Sequence, residues 1–139
     1  MPDGIDLILE DHRTVDALFD AFDSTGDATV IGQTIDALKA HDDAEQGALY
    51  PLVAACLDDP AALLERSGLA HSAVKKQIEQ LKGEEGPSLV EAFTGLRRLV
   101  KDHVADEEKN LLPALREAAT KQQLDELGAR ILQAKQRGG

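Results

Sequence analysis

Apolar residues recur along this chain at steps of three and four, and no stretch keeps the two-residue alternation of a half-buried strand. The pattern predicts an all-α protein. A first helix starts at an Asp3 cap, ends near Gly26 and puts Ile5, Ile8, His12, Val15, Phe19 and Phe22 on one stripe. A second starts at an Asp27 cap and runs towards Leu57, with Ile31, Ile35, Leu38, His41, Glu45, Leu49 and Leu52 on a continuous face. Pro51 lies inside it. Because proline removes one helical hydrogen bond and crowds the preceding turn, a kink or local bulge is expected just beyond Glu45.

A third helix spans about 60–82 with Leu64, His71, Val74, Ile78 and Leu81 inward, and Gly68 is the point where its start can break. The fourth follows Pro87 and carries Leu89, Phe93, Leu96, Val100, His103, Glu107, Leu111 and Ala114, with Pro113 inside it. A short fifth helix over about 120–135 has a Thr120 cap and carries Leu124, Leu127, Ile131 and Leu132. The expected architecture is an antiparallel four-helix bundle over about 4–118 with the short C-terminal helix packed across it, together one domain over 1–139.

The second and fourth helices repeat one another without a gap. His41, Glu45, Leu49 and Pro51 fall at the same offsets as His103, Glu107, Leu111 and Pro113. In the first and third helices His12 is followed at offsets of three, seven and ten by Val15, Phe19 and Phe22, and His71 by Val74, Ile78 and Leu81. The chain therefore reads as two helix pairs, each supplying a lone His and a His-x-x-x-Glu about an approximate two-fold axis.

The repeat changes what the polar stripe residues mean. A single His on an apolar face is ordinarily a satisfied core residue, and a His and Glu four apart are ordinarily an exposed helix pair. Here all four histidines of the chain fall on inward stripes, one per helix, and Glu45 and Glu107 join them with no Lys or Arg on those stripes to neutralise them. Buried carboxylates are costly unless paired or metal-bound. Residues four apart share a helix face, so each His-x-x-x-Glu presents a nitrogen and an oxygen to one centre. Six donors exceed a tetrahedral zinc site, but two metals bridged by both carboxylates would each receive two imidazoles and two oxygens. The remaining positions suit a bridging oxo or hydroxo group and a small exogenous ligand such as dioxygen, peroxide or nitric oxide. Mixed imidazole and carboxylate donors favour iron, with manganese or zinc as alternatives.

Composition narrows the partners. At 139 residues the chain has the size of one domain. A net charge of -11, three Phe, one Tyr and no Trp argue against nucleic acid and anionic lipid. No apolar run approaches the roughly 18 to 20 residues that cross a bilayer. The lone Cys56 forms no internal bridge and the N-terminus lacks the features of a signal peptide, so a cytoplasmic protein is expected, as a monomer or small homo-oligomer. Cys56 reads as an inert thiol, and Asp42, Asp43, Asp106 and Glu108 as a solvated acidic face. Tyr50, one turn beyond Glu45, is either a wedge under the bundle end or a hydroxyl that hydrogen-bonds a bridging oxygen or donates an electron.

The pattern H…HxxxE…H…HxxxE on four helices resembles the hemerythrin-like, or HHE cation-binding, family. Leu9-Glu10-Asp11-His12-Arg13, the Glu45 to Tyr50-Pro51 stretch and Glu107-Glu108-Lys109-Asn110-Leu111-Leu112-Pro113 add to the likeness, which covers nearly the whole chain. The resemblance implies a di-iron site ligated by His12, His41, Glu45, His71, His103 and Glu107, in a family that binds oxygen, senses redox state or iron, or reacts with peroxide or nitric oxide. Oxygen carriers of the family have a further His where this chain has Lys75, and HxxxxD where this chain has His103-x-x-x-Glu107. One imidazole fewer argues against reversible oxygen carriage and towards peroxide or nitric oxide chemistry, as in similar actinobacterial proteins, with catalase-like turnover as one form. The alternative is a non-enzymatic sensor or store.

Overall fold

The computed structural model describes residues 2–138, and the described elements are all helical. Helix α1 (Gly4–Thr25) opens with a capping box in which Asp3 and Asp6 each accept from the other's backbone N–H. It closes on Gly26, whose φ of 64° is the left-handed conformation that glycine adopts at least cost. Asp27 then caps α2 (Ala28–Ala44) through the Thr29 N–H. A π-helical turn, Glu45–Leu49, leads into α3 (Tyr50–Cys56). Helix α4 (Ala61–Leu81) runs unbroken through the exposed Gly68, so the break expected there does not occur.

Helix α5 (Gly86–Asp106) starts with Pro87 in its first turn, where a missing N–H costs nothing. It passes through a second π turn, Glu107–Leu111, into α6 (Leu112–Ala118). Helix α7 (Lys121–Gly138) is longer than expected, because Ala, Gln, Lys and Arg sustain the helix past residue 135.

The bulge expected beyond Glu45 is the π turn, and it recurs at the matching place in the fourth helix. Each wide turn accommodates the missing N–H of Pro51 or Pro113 by admitting one extra residue. That residue moves the inward stripe on by one position. Tyr50 and Val53 are buried and Leu52 only half-buried; Leu112 and Leu115 are buried and Ala114 only half-buried. The uninterrupted helix period puts Leu52 and Ala114 in those places.

The core has two apolar clusters. One holds Phe19, Phe22, Ile31, Leu38, Ile78, Phe93, Leu96 and Val100. The other holds Ile8, Leu49, Tyr50, Val53, Leu111, Leu115 and the α7 residues Leu124, Leu127 and Ile131. Between them lies a layer of buried polar side chains. Arg97 of α5 ties the α1 seam shut by reaching Asp16 at 3.2 Å and Asp23 at 2.8 Å, with its guanidinium 5.6 Å from the centre of the Phe19 ring. No described helix is long and apolar enough to cross a membrane.

Helix α7 meets the start of α1 backbone to backbone. A Cβ on Gly128 would lie 3.2 Å from the Gly4 nitrogen and 3.3 Å from the Asp3 carbonyl carbon. Gly128→Ala therefore lowers stability in urea denaturation by about 1–3 kcal/mol through this clash. Gly32→Ala, which points a methyl into open space within α2, raises it by roughly 0.5–1 kcal/mol. Equal responses of the two variants would contradict the close approach.

Candidate metal centre

All six residues singled out from the sequence, His12, His41, Glu45, His71, His103 and Glu107, are buried and meet in the polar layer. Each helix of the bundle brings its His to the same height, and the two π turns begin at Glu45 and Glu107. The donor atoms form two overlapping groups. His12, His41, Glu45 and Glu107 make one; His71, His103 and the same two glutamates make the other. Within each pair the rings meet edge to face, at 5.0 Å for His12 and His41 and 4.6 Å for His71 and His103.

The carboxylates divide their oxygens between the groups. Glu45 turns Oε2 to His41 Nε2 at 3.2 Å and Oε1 to His71 Nε2 at 3.0 Å. Glu107 turns Oε1 to His12 Nε2 at 3.1 Å and Oε2 to His103 Nε2 at 3.2 Å. Yet His12 Nε2, His41 Nε2, His103 Nε2, Glu45 Oε2 and Glu107 Oε1 make no hydrogen bond. They are near one another without being aimed at one another. A bare, buried donor atom costs about 1–3 kcal/mol, more for a charged group, and such atoms rarely persist without a partner. Atoms that converge on common points in this way fit a pair of cations, each facing two imidazoles and one oxygen of each glutamate.

The outer ring nitrogens show what sequence reasoning missed. Asp42 and Glu108 do more than form a solvated face: half-buried Asp42 pairs with His71 Nδ1, and Glu108, although exposed, lies 2.7 Å from His12 Nδ1. Asp11 lies 3.1 Å from His41 Nδ1 and is itself paired with Lys135 of α7. A carboxylate on Nδ1 fixes the ring so that Nε2 points inward, and it strengthens the imidazole as a donor. Asp43 is exposed and Asp106 binds Arg66 at 2.9 Å, as a surface role requires. Lys75 points away from the layer and reaches Asp42 at 3.5 Å, so no fifth nitrogen donor comes from this position. Half-buried Cys56 packs against the apolar cluster on the α7 side and lies 3.6 Å from the Gln123 side chain.

Tyr50 is more central than a wedge. Its hydroxyl lies 2.7 Å from His71 Nε2, 3.2 Å from Glu45 Oε1 and 3.1 Å from Glu107 Oε2. It approaches from the apolar cluster on the α7 side of the layer. On the other side, a cavity of about 60 Å³ is bounded by the four histidine rings and by Val15, Leu38, Val74, Ile78, Val100 and Val104. Its exposed lining residues, Lys39 and Lys75, mark a mouth between α2 and α4.

Residues 3–130 match the family model described as the hemerythrin HHE cation binding domain. The chain is 30% identical over 138 residues to a DNA nickase from Nostoc sp., an alignment covering 94% of this chain and 38% of that protein. It thus spans well under half the length of that relative. The crystal structure of a hemerythrin HHE cation binding domain-containing protein from Mycobacterium kansasii has the same fold, with a TM-score of 0.86 at 20% identity, over 100% of this chain and 89% of that one.

The charges of the layer explain its protonation. Burial works against the charged form of His41, but the Glu45 charge and the Asp11 hydrogen bond outweigh it and raise the ring to about 10. Burial is likewise outweighed at His103, where Glu107 and Glu45 raise the ring to about 9. Burial pushes Glu45 up, yet the charge on His41 holds it well below the usual carboxylate range. Without metal, the His41 contribution to stability is fully present below about 6.5 and is lost as pH rises through about 10. A metal must displace the protons on His41 and His103. Near neutral pH, zinc binding therefore releases protons, and affinity rises with pH. Calorimetry in buffers of different ionisation enthalpy measures the release; a heat independent of buffer would contradict it.

Proposed function

This chain belongs to the hemerythrin HHE cation-binding family, and from that premise we propose that its polar layer holds a di-iron centre that binds a small, weakly polar molecule, dioxygen or nitric oxide, in the adjoining cavity. His12 and His41 would hold one iron, His71 and His103 the other, and Glu45 and Glu107 would offer one oxygen to each. The observation that carries this reading is the division of each glutamate's oxygens between two histidine pairs whose inner nitrogens are largely bare. Imidazole with carboxylate suits iron, and manganese or zinc less well for a redox role. When bound, the iron pair supplies a two-electron reservoir and Lewis acidity.

The chain's own contribution is shape and exclusion. The cavity has room for only a few water-sized molecules, and beyond the imidazoles its inner walls are mostly aliphatic, with half-buried Asp42 the polar exception. Dioxygen and nitric oxide enter it with little loss of hydrogen bonding. Peroxide must give up its hydrogen bonds with water, a cost of roughly 1–3 kcal/mol for each unpaired polar group. Against that stands the donor set of four imidazoles and two carboxylates, which favours the higher oxidation state and supports peroxide decomposition as a second reading. A non-enzymatic oxygen or redox sensor uses the same cavity without turnover. The Nostoc relative's nicking of DNA is not carried over, because a net charge of -11 repels phosphate backbones.

Protein purified from iron-replete cells should contain about two iron atoms per chain, and His41→Ala about one or fewer. Wild-type content below about one iron, unchanged in the variant, would contradict the centre. Val74→Phe, which fills the cavity, should retain the iron and slow nitric oxide binding by about tenfold or more in stopped-flow absorbance. If the wild type evolves oxygen from peroxide well above background while His103→Ala does not, the peroxide reading replaces the gas-binding one.

A further inference from the structure

The approximate two-fold symmetry of the donor atoms is not kept by what surrounds them. On the first side, His12 Nε2, His41 Nε2, Glu45 Oε2 and Glu107 Oε1 are all buried and free of any hydrogen bond. On the second side, three of the four matching atoms, His71 Nε2, Glu45 Oε1 and Glu107 Oε2, lie within 2.7–3.2 Å of the Tyr50 hydroxyl. The repeat places Leu112 where Tyr50 stands, so nothing covers the first side in the same way. The outer nitrogens differ too. His12 and His41 are each backed by a carboxylate, Glu108 and Asp11, whereas on the second side only His71 is backed, by Asp42. Among the described residues no carboxylate lies within 4 Å of His103 Nδ1. The repeat explains this as well, because Ala70 stands where Asp11 would be needed. The lysines do not distinguish the sides: Lys135 draws on Asp11 and Lys75 on Asp42.

We propose that the two metal positions fill in a fixed order, His12 and His41 first and His71 and His103 second, with Tyr50 as the residue that holds the second position back. A cation reaching the first position meets four donor atoms that no other side chain hydrogen-bonds. A cation reaching the second must displace the Tyr50 hydroxyl from three donors and accept one imidazole without a backing carboxylate. A lost carboxylate partner lowers metal affinity by roughly 10–100-fold, and the Tyr50 contacts widen the gap. The second position is therefore the exchangeable one, and the centre passes through a defined single-metal form.

This inference rests on the two-metal reading, and zinc, which is redox-silent, separates the two. Repulsion between cations alone gives two binding steps even at equivalent positions, so the test must identify the rings. Two-bond ¹H–¹⁵N spectra of the four imidazoles, recorded while zinc is added to metal-free protein, report which rings are ligated. At one equivalent, His12 and His41 should show the metal-bound pattern and His71 and His103 the free one; all four should be bound at two equivalents. Tyr50→Phe should tighten the second step by about tenfold, read by competition with a chromophoric chelator. Partial ligation of all four rings at one equivalent, or His71 and His103 first, overturns the order. A weaker second step in Tyr50→Phe overturns the role of Tyr50, since it would make the phenol a ligand. Rings left free at two equivalents would instead defeat the two-metal reading itself.

Discussion

Two carboxylates and four imidazoles buried between two apolar clusters set the terms for everything else in this protein. Removing an ion from water costs several kcal/mol even after the surroundings relax, and a carboxylate with a bare oxygen recovers little of it. The fold answers in layers. Protons on His41 and His103 offset the charges of Glu45 and Glu107, and Asp11, Asp42 and Glu108 steady three of the rings from outside. The compensation stays incomplete at the inner nitrogens and oxygens, and that remainder is what bound cations would satisfy. Apolar packing flanks the layer on both sides, broken only by the small cavity between α2 and α4.

Helix geometry delivers the donors to one height. The His-x-x-x-Glu spacing fixes a nitrogen and an oxygen on one face, and the prolines that follow force a wide turn starting at each glutamate. The turn recurs because the sequence recurs, so the local distortion belongs to the site and not to one helix. Exceptions to the repeat matter as much as the repeat. Tyr50 opposite Leu112, and Asp11 opposite Ala70, turn a nearly symmetric cage into one with a bare side and a covered side.

Much of this was legible in the sequence. Stripes at steps of three and four named most of the buried face of each helix, with exposed Leu132 an exception, and the two matched helix pairs singled out the six side chains that meet in the polar layer. The register beyond the prolines was not, because helix periodicity has no term for an extra residue: Leu52 and Ala114 gave way to Val53 and Leu115. The contacts of Asp42 and Glu108 with His71 and His12 were missed for a related reason, although Glu108 is exposed as expected. A residue beside an inward one points sideways along a helix wheel, and whether that means solvent or a neighbouring His depends on which helix stands there. Asp11, adjacent to His12 yet serving His41, shows the same dependence on tertiary arrangement. The central position of Tyr50 was half-visible, since its place beyond Glu45 suggested contact but not three partners.

The central claim is that four helices hold two metals through six named side chains, with both glutamates shared. Anomalous scattering from crystals of the iron-loaded protein tests it most directly. Two iron peaks about 3.5–4 Å apart should lie in the polar layer, one beside His12 and His41, the other beside His71 and His103, each contacted by Glu45 and Glu107. A single peak, or peaks outside this layer, would contradict it.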